Sequence, residues 1–288
     1  MSKCRPVQFV YLTVNYNSAL QTERLLADLF QQDASNCALT VVVADNSSSG
    51  AELAPVRQMY ANNEAVRFES MPQNPGYFGG AALAFATISE QTPPDWVIVS
   101  NSDVRLPGRD ALSRIAALPS DYGVIAPSVI SAKTGLDQNP FLRHRPSAFR
   151  IYLNRIIPRV RLLYWLLQTQ CEVKRGVRSW LMRHSHPGNR TSQGMDPTEI
   201  YAPHGSFIIF SREYFERGGS LKPGAFLYAE ELFVAETCRR LGLKAVYWPV
   251  IQVAHDEHVS TAANPAVRHF MATAADYCYK EFFAKVKA

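Results

Sequence analysis

The chain has no Cys-x-x-Cys pair, and its five cysteines, Cys4, Cys37, Cys171, Cys238 and Cys278, are odd in number and widely spaced. That pattern excludes a disulfide framework and a zinc ribbon, and it suits a reducing compartment. No run of about 20 apolar residues occurs, so no transmembrane helix is expected. The segment before Asn15 holds only a short apolar run and is expected to be a first β-strand rather than a signal peptide. No Gly-x-x-x-x-Gly-Lys-Ser/Thr loop and no correctly spaced dinucleotide fingerprint is present, which removes the common phosphate-binding signatures. Nucleic-acid-binding motifs and internal repeats are also missing.

What is present is ordinary globular material. Of 288 residues 47% are hydrophobic and 19% charged, with a formal net charge of +5, so there is ample apolar content for a core. The first half alternates strand and helix. Strands are expected at Val7 to Val14, Leu39 to Ala44, Val66 to Glu69 and Trp96 to Val99; helices are expected at Leu20 to Gln32, Glu52 to Tyr60 and Gly80 to Ser89. The helix at Leu20 to Gln32 carries its apolar stripe on Leu25, Leu26, Leu29 and Phe30. LTVVVA, ending at Ala44, is apolar throughout, as befits a strand buried on both faces. Such an order implies an α/β fold with a mostly parallel sheet and right-handed crossovers. Ligands of these sheets bind beyond the carboxyl ends of the strands, and the polar clusters after Val14, Ala44 and Val99 all fall there.

The middle of the chain differs. From Phe141 to Arg190 there are eleven basic residues and the single acid Glu172, interleaved with Tyr152, Leu162, Leu163, Trp165, Leu166 and Trp180. Two or three amphipathic helices split at Pro158 are expected. They fit an anionic membrane interface and a helical cap packed on the core or on another subunit about equally. α/β patterning then resumes, with a strand at Ser206 to Ser211, a helix at Glu230 to Leu241 and a short strand at Ala245 to Pro249. The expected organisation is a ligand-binding half over 1–135, the basic helical insert over 136–195, a second half over 196–264 and a helical tail over 265–288.

Several polar groups stand where chemistry would occur. Asp45 ends a buried strand, where a carboxylate can accept hydrogen bonds from a base or ribose; taken alone, it reads first as an Asx turn or helix cap. Asn101-Ser102-Asp103 ends another strand, and Asp103 would offer a hard oxygen ligand to Mg²⁺ or Mn²⁺ beside a diphosphate, or simply close a turn. Asn74-Pro75-Gly76-Tyr77-Phe78-Gly79-Gly80 leads into a helix, where free N–H groups favour anions. Glu230 and Glu231 open a helix; that placement suits the macrodipole and equally suits a general base. His255, with Asp256, Glu257 and His258, follows the last strand, where a neutral imidazole would complete a metal site begun by Asp103 or serve structure alone.

In this order the motifs resemble glycosyltransferase family 2, especially its rhamnosyltransferase-like bacterial members, from about Val10 to Ser260. The resemblance implies a GT-A, Rossmann-like fold. It places Asn15 and Asn17 in the opening motif, Asp45 on the nucleotide base, and Asn74, Gly76, Tyr77 and Gly79 in the loop beside the donor. Asn101 and Asp103 stand at the family's DxD-type metal motif, with Asn101 replacing the first acid, and His255 matches a late metal or diphosphate contact. His204, Gly205 and Tyr228 fall on the acceptor side. Glu230-Glu231 stands where Glu-Asp is usual, so Glu231 takes the role of base; its extra methylene departs from the pattern. The implied activity is an inverting, metal-dependent transfer of a sugar, rhamnose or another hexose, from a dTDP- or UDP-linked donor. The implied acceptor is a glycan or lipid-linked saccharide in bacterial surface polysaccharide synthesis, and the implied location is cytoplasmic, with peripheral contact at the membrane's inner face. No nucleic-acid partner is implied. Two other readings compete: a transferase-like fold without activity, and a sugar-1-phosphate nucleotidyltransferase, which would need a basic triphosphate loop that Val14 to Ser18 does not supply.

Overall fold

In this computed structural model residues 5–88, 93–184, 196–257 and 266–284 are described. The first half runs β1 (Val7–Asn15), α1 (Ala19–Phe30), β2 (Cys37–Asp45), α2 (Ala54–Met59), β3 (Val66–Ser70), α3 (Tyr77–Ala86), β4 (Trp96–Asn101), β5 (Val104–Arg105), α4 (Ala111–Ala116) and β6 (Val124–Ser131). After it come α5 (Ala148–Ile156), α6 (Arg161–His184), β7 (Thr198–Ile200), β8 (Phe207–Ser211), α7 (Arg212–Glu216), α8 (Glu230–Arg240), β9 (Ala245–His255) and α9 (Val267–Cys278).

The strands form one mixed sheet in the order β3-β2-β1-β4-β8-β6-β9-β5, with β7 also paired to β9. β1, β2, β3 and β4 are mutually parallel. β8 runs against both β4 and β6, so β6 and its parallel neighbour β9 point the same way as β1. The sheet is therefore mostly parallel, with helices on both faces. Period-two alternation divides its side chains: Phe9, Tyr11, Val41, Val43 and Ile98 pack with α1 and α4 on one face, and Val10, Leu12, Val42, Ala44 and Val99 pack with α3 and α8 on the other. Burial on both faces explains the unbroken apolar runs of β1 and β2.

Direction decides where polar groups gather. The carboxyl ends of β1, β2, β4, β6 and β9 share one edge, and the reversed β8 begins at that same edge. Asn15 pairs with Asp45, Val14 with Asn101, and Ser131 with His255.

The short elements β5, α4, β7 and α7 have no counterpart among the sequence-based expectations, and three of the larger elements also depart from them. β6 is a further buried strand, whose apolar run is masked in the sequence by Pro127 and Ser128. β9 continues past Pro249 to His255, because its pairing with β6 slips between Pro127 and Ser128, an irregularity that lets the strand bypass the residue lacking an N–H. α3 begins at Tyr77, not Gly80, so Gly79 and Gly80 lie within its first turn. In α1, Leu25, Leu26 and Leu29 are buried as the stripe requires, whereas Phe30 is exposed and stacks on Tyr60.

Between β6 and β7, α5 packs on α9, with Ile151 beside Ala274 and Cys278 and Arg155 and Arg159 both ion-paired to Asp276. α6, 24 residues long, leaves Leu162, Trp165, Leu166, Val173, Val177 and Trp180 exposed. Among the described residues no helix is long and apolar enough to cross a membrane.

The start of α3 is fixed by Gly76, which has φ +82° and whose Cβ, were there one, would lie 1.9 Å from the Phe226 carbonyl oxygen. A side chain is excluded there by both conformation and contact. Gly76→Ala is expected to lower stability by at least about 1–3 kcal/mol, read as a lower urea midpoint; an unchanged midpoint would contradict this role.

Candidate active site

The shared strand edge opens into a cleft of about 870 Å³. Asn17, Asn74, Gly76, Tyr77, Asn101, Asp103, His204, Gly205, Tyr228, Glu230, Glu231 and His255, drawn from both halves of the chain, line it. Asn15, Asp45 and Gly79 do not. Gly79 faces Pro75 in the first turn of α3. His258 lies outside the described residues.

Asn15 and Asp45 lie just beneath the cleft floor, almost fully buried. The Asn15 amide donates to Asp45 Oδ1 (3.0 Å) and to Ser47 Oγ (3.0 Å), while its carbonyl accepts from Ser18 (3.1 Å) and Thr22 (2.9 Å). Ser47 Oγ in turn accepts the Asn17 N–H at 3.0 Å. Asp45 also accepts from Arg57 at 3.2 Å. Burial by itself would raise the Asp45 carboxyl, but its hydrogen bonds from Asn15, Ser47 and Arg57 outweigh burial and hold it below the usual carboxylate range. Asn46 binds the neighbouring loop, donating to Asn74 Oδ1 (3.1 Å) and to the Gly76 carbonyl (2.9 Å). Its own buried Oδ1 has no hydrogen-bond partner among the described residues.

Glu230 and Glu231 enter from the first turn of α8. The Gly205 N–H donates to Glu231 Oε1 at 3.2 Å, and the Gly205 carbonyl accepts from the Tyr77 hydroxyl at 3.0 Å. A Cβ on Gly205 would lie 2.9 Å from that carboxylate oxygen, so a side chain there would displace the Glu231 carboxylate from its present position. Both carboxyls are pushed up, by burial in each case. Glu230, which also feels the charge of Glu231, reaches about 8. The two titrate as a pair that retains a proton at neutral pH. The Gly205 N–H favours the ionised form of Glu231, and backbone N–H groups at the start of α8 do the same for Glu230, but burial outweighs them in both. Burial, and then the charge of Glu230, push the Tyr77 phenol well above its ordinary value, so it remains a donor.

Asp103 and His255 face each other with Oδ1 and Nε2 3.2 Å apart. His255 Nδ1 lies 2.8 Å from Gln138 Oε1, and the Gln138 amide nitrogen donates to Glu257 at 3.0 Å. Gln138 therefore presents its carbonyl to His255, the imidazole carries a proton on Nδ1, and Nε2 is the ring nitrogen that faces Asp103. A hard carboxylate oxygen and an imidazole nitrogen converging at the cleft fit a divalent cation. Among the described residues no group of three or more His, Cys, Asp and Glu could hold a metal alone, so these two would share the ion with ligand oxygens. Beside them, burial and the nearby His255 push His204 down to about 4. Its Nδ1 accepts the Ser206 N–H (3.2 Å), so the neutral ring carries its hydrogen on Nε2.

Sequence reasoning missed Asn46, Ser102, Lys133 and Gln138. Lys133, on the turn after β6, is the single Lys or Arg among the described residues lining the cleft, and its ammonium donates to the Glu257 carbonyl. Neither it nor Gln138 has a local sequence signal, whereas Asn46 stands beside Asp45 and was legible. Backbone conformation marks the same place. The three described non-glycine residues with positive φ, Asn17, Tyr228 and Glu257, all line the cleft, where strained conformations tend to collect.

The arrangement is that of a GT-A fold, with a cleft at the carboxyl edge of a mostly parallel sheet. A model of Glycosyl transferase family 2 matches residues 12–219, and the chain belongs to that family. No curated protein matches it. Among solved structures, GalNAc-T7 with UDP, GalNAc and Mn²⁺ is similar at TM-score 0.57 and 14% identity, over 87% of this chain and 44% of that one. TarS 1–349 from S. aureus, in complex with UDP-GlcNAc, is similar at TM-score 0.55 and 13% identity, over 89% of this chain and 61% of that one. The mannosyltransferase PcManGT from Pyrobaculum calidifontis, in complex with GDP-Man and Mn²⁺, aligns at TM-score 0.49 and 20% identity, over 91% and 59%. This chain thus spans roughly half the length of these structures, and the likeness is one of fold.

The carboxyl pair sets a pH dependence. Glu230 binds its proton more tightly folded (about 8) than its ordinary value of 4.5, so the native state holds more protons between those values and stability falls as pH rises across that window. Glu230→Gln is expected to flatten the fall in urea-denaturation stability between about pH 5 and about pH 8; a slope equal to wild type would contradict the assignment.

Proposed function

We propose that this protein transfers a sugar from a dTDP- or UDP-linked donor to a saccharide or lipid-linked saccharide, with inversion at the anomeric carbon. The observation that carries this reading is one cleft holding both the Asp103–His255 face and, opposite it, the proton-sharing pair Glu230 and Glu231. In this reading Asp45, buried under the floor and held by Asn15, Ser47 and Arg57, orders the loop beside the nucleotide base without touching it, and Asn17, Asn74, Asn101 and the N-terminus of α3 border the donor. Asp103 and His255 would hold Mg²⁺ or Mn²⁺, which would neutralise charge on the departing diphosphate. The neutral His204 offers an Nε2–H donor on the acceptor side, next to Gly205 and Tyr228. Glu231, oriented by the Gly205 N–H, takes the proton from the attacking hydroxyl, while Glu230 keeps the pair's remaining proton. A single displacement needs no enzyme nucleophile, so electrostatic placement and one base suffice. The rhamnosyltransferase-like motif order supports a 6-deoxyhexose or other hexose donor, within bacterial surface polysaccharide synthesis.

The exposed apolar stripe of α6, in a segment whose sequence is rich in basic residues, supports peripheral contact with an anionic bilayer at its cytoplasmic face. Vesicles containing phosphatidylglycerol are expected to co-sediment the protein at low salt, and a Trp165→Ala/Leu166→Ala variant to bind less. Equal recovery with and without vesicles rejects this contact.

The donor is identified by thermal shift with UDP, dTDP, GDP and CDP, each with and without Mn²⁺ or Mg²⁺, because a ligand specific for the folded state raises its melting temperature. A metal-dependent shift with one nucleotide, lost in Asp103→Ala, is expected. Glu231→Gln is expected to keep that shift and lose about 10²–10⁴-fold in kcat. Full turnover in both Glu231→Gln and Glu230→Gln would end the proposal.

A further inference from the structure

Gln138 is not in contact with the space a donor would fill, yet it governs what His255 presents there. Its backbone is pinned by the Gln138 N–H to the Val129 carbonyl at 2.8 Å. Its side-chain amide has one possible orientation, because the nitrogen faces the Glu257 carboxylate at 3.0 Å and a carboxylate only accepts. The amide oxygen is thereby aimed at His255 Nδ1, 2.8 Å away. Glu257 is itself held in an unusual conformation, φ +52°, with its carbonyl taken by Lys133. The chain Lys133–Glu257–Gln138–His255 thus runs from a turn at the cleft rim to the imidazole that faces Asp103.

We propose that Gln138, oriented by Glu257, is a positioning residue that holds a proton on His255 Nδ1 and fixes the ring, so that Nε2 is the nitrogen turned to the Asp103 side, where a divalent cation carrying a nucleoside diphosphate would bind. The inference rests on the donor reading above. The physical reason is geometric. A neutral ring protonated on Nε2 alone would carry its lone pair on Nδ1, turned away from the Asp103 side, and could not ligate a cation there. An acceptor fixed at Nδ1 removes that alternative, as hydrogen bonds to ligating histidines do in metal sites generally. Aliphatic replacement of Gln138 frees the ring to adopt the other tautomer; replacement of Glu257 by Gln does not, since a glutamine carbonyl still accepts from the Gln138 amide.

The test has two readouts. In ¹⁵N-histidine NMR of the metal-free protein, wild-type His255, assigned by its loss in His255→Gln, is expected to be protonated on Nδ1, with Gln138→Leu shifting it toward the Nε2-protonated form. In titrations of Mn²⁺ in the presence of UDP, Gln138→Leu is expected to bind the ion about 10–100-fold more weakly, and Glu257→Gln close to wild type. A wild-type His255 protonated on Nε2 alone, or wild-type Mn²⁺ affinity in Gln138→Leu, overturns the proposal. If Gln138→Leu fails to fold, Glu257→Ala replaces it with the same expected direction, and an unchanged tautomer and affinity there count against it. A wild type that binds no Mn²⁺ with any nucleoside diphosphate defeats the metal reading itself, whereas the tautomer in the metal-free protein decides the role of Gln138 separately.

Discussion

The buried amide of Asn15 holds the strand-end edge together. It sits at the end of β1, fully enclosed, and each of its polar atoms is matched: the nitrogen by Asp45 and Ser47, the oxygen by Ser18 and Thr22. A buried amide left unmatched would cost on the order of 1–3 kcal/mol, so these loops are held in one arrangement. Ser47 then fixes Asn17, Asn46 ties the end of β2 to the Asn74 loop, and Gly76 lets that loop rest on the Phe226 backbone. The loops after β1 and β2 are thus tied to a single side chain, and Asn46 and Gly76 extend that arrangement to the Asn74 loop.

The opposite wall depends on a different joint. Gly205 uses its N–H on Glu231 and its carbonyl on Tyr77, linking α8 and α3 through the residues that precede β8. Carboxylates then acquire contrasting characters within one cleft. Asp45 is surrounded by side-chain and backbone donors and stays ionised; Glu230 and Glu231 receive backbone donors only, too few to offset their burial, and keep a proton between them. The helix N-terminus of α8 would favour ionisation of the glutamates, and burial outweighs it. Environment, not residue type, separates a carboxylate that binds from one that can exchange a proton.

Much of this was legible beforehand. The apolar runs of β1, β2 and β4 announced doubly buried parallel strands, and the polar residues that follow them marked the ligand edge. The stripe on Leu25, Leu26 and Leu29 located α1. The start of α3 was misjudged because glycines were read as loop, whereas Gly76 alone needs the special conformation and Gly79 and Gly80 are helical. β6 escaped because Pro127 and Ser128 interrupt its hydrophobic pattern, and β9 was cut short at Pro249 because a register slip that accommodates proline has no signature in one strand. Asn15 and Asp45 were identified as site residues; the structure puts both just under the floor, where their hydrogen bonds are spent on the loops.

The sequence by itself determined the periodicities, the class of sheet and the types of polar group at each strand end, because these depend on neighbours within a few residues along the chain. Only the tertiary structure decided which groups meet. The reversal of β8 carries His204 and Gly205 to the carboxyl edge. The pairing of β6 with β9 brings Gln138 and Lys133, more than a hundred residues distant in sequence, against His255 and Glu257. The tautomer of His255, the shared proton of Glu230 and Glu231, and the matched amide of Asn15 are all set by distances of about 3 Å between such remote segments, and no local pattern encodes distances of that kind.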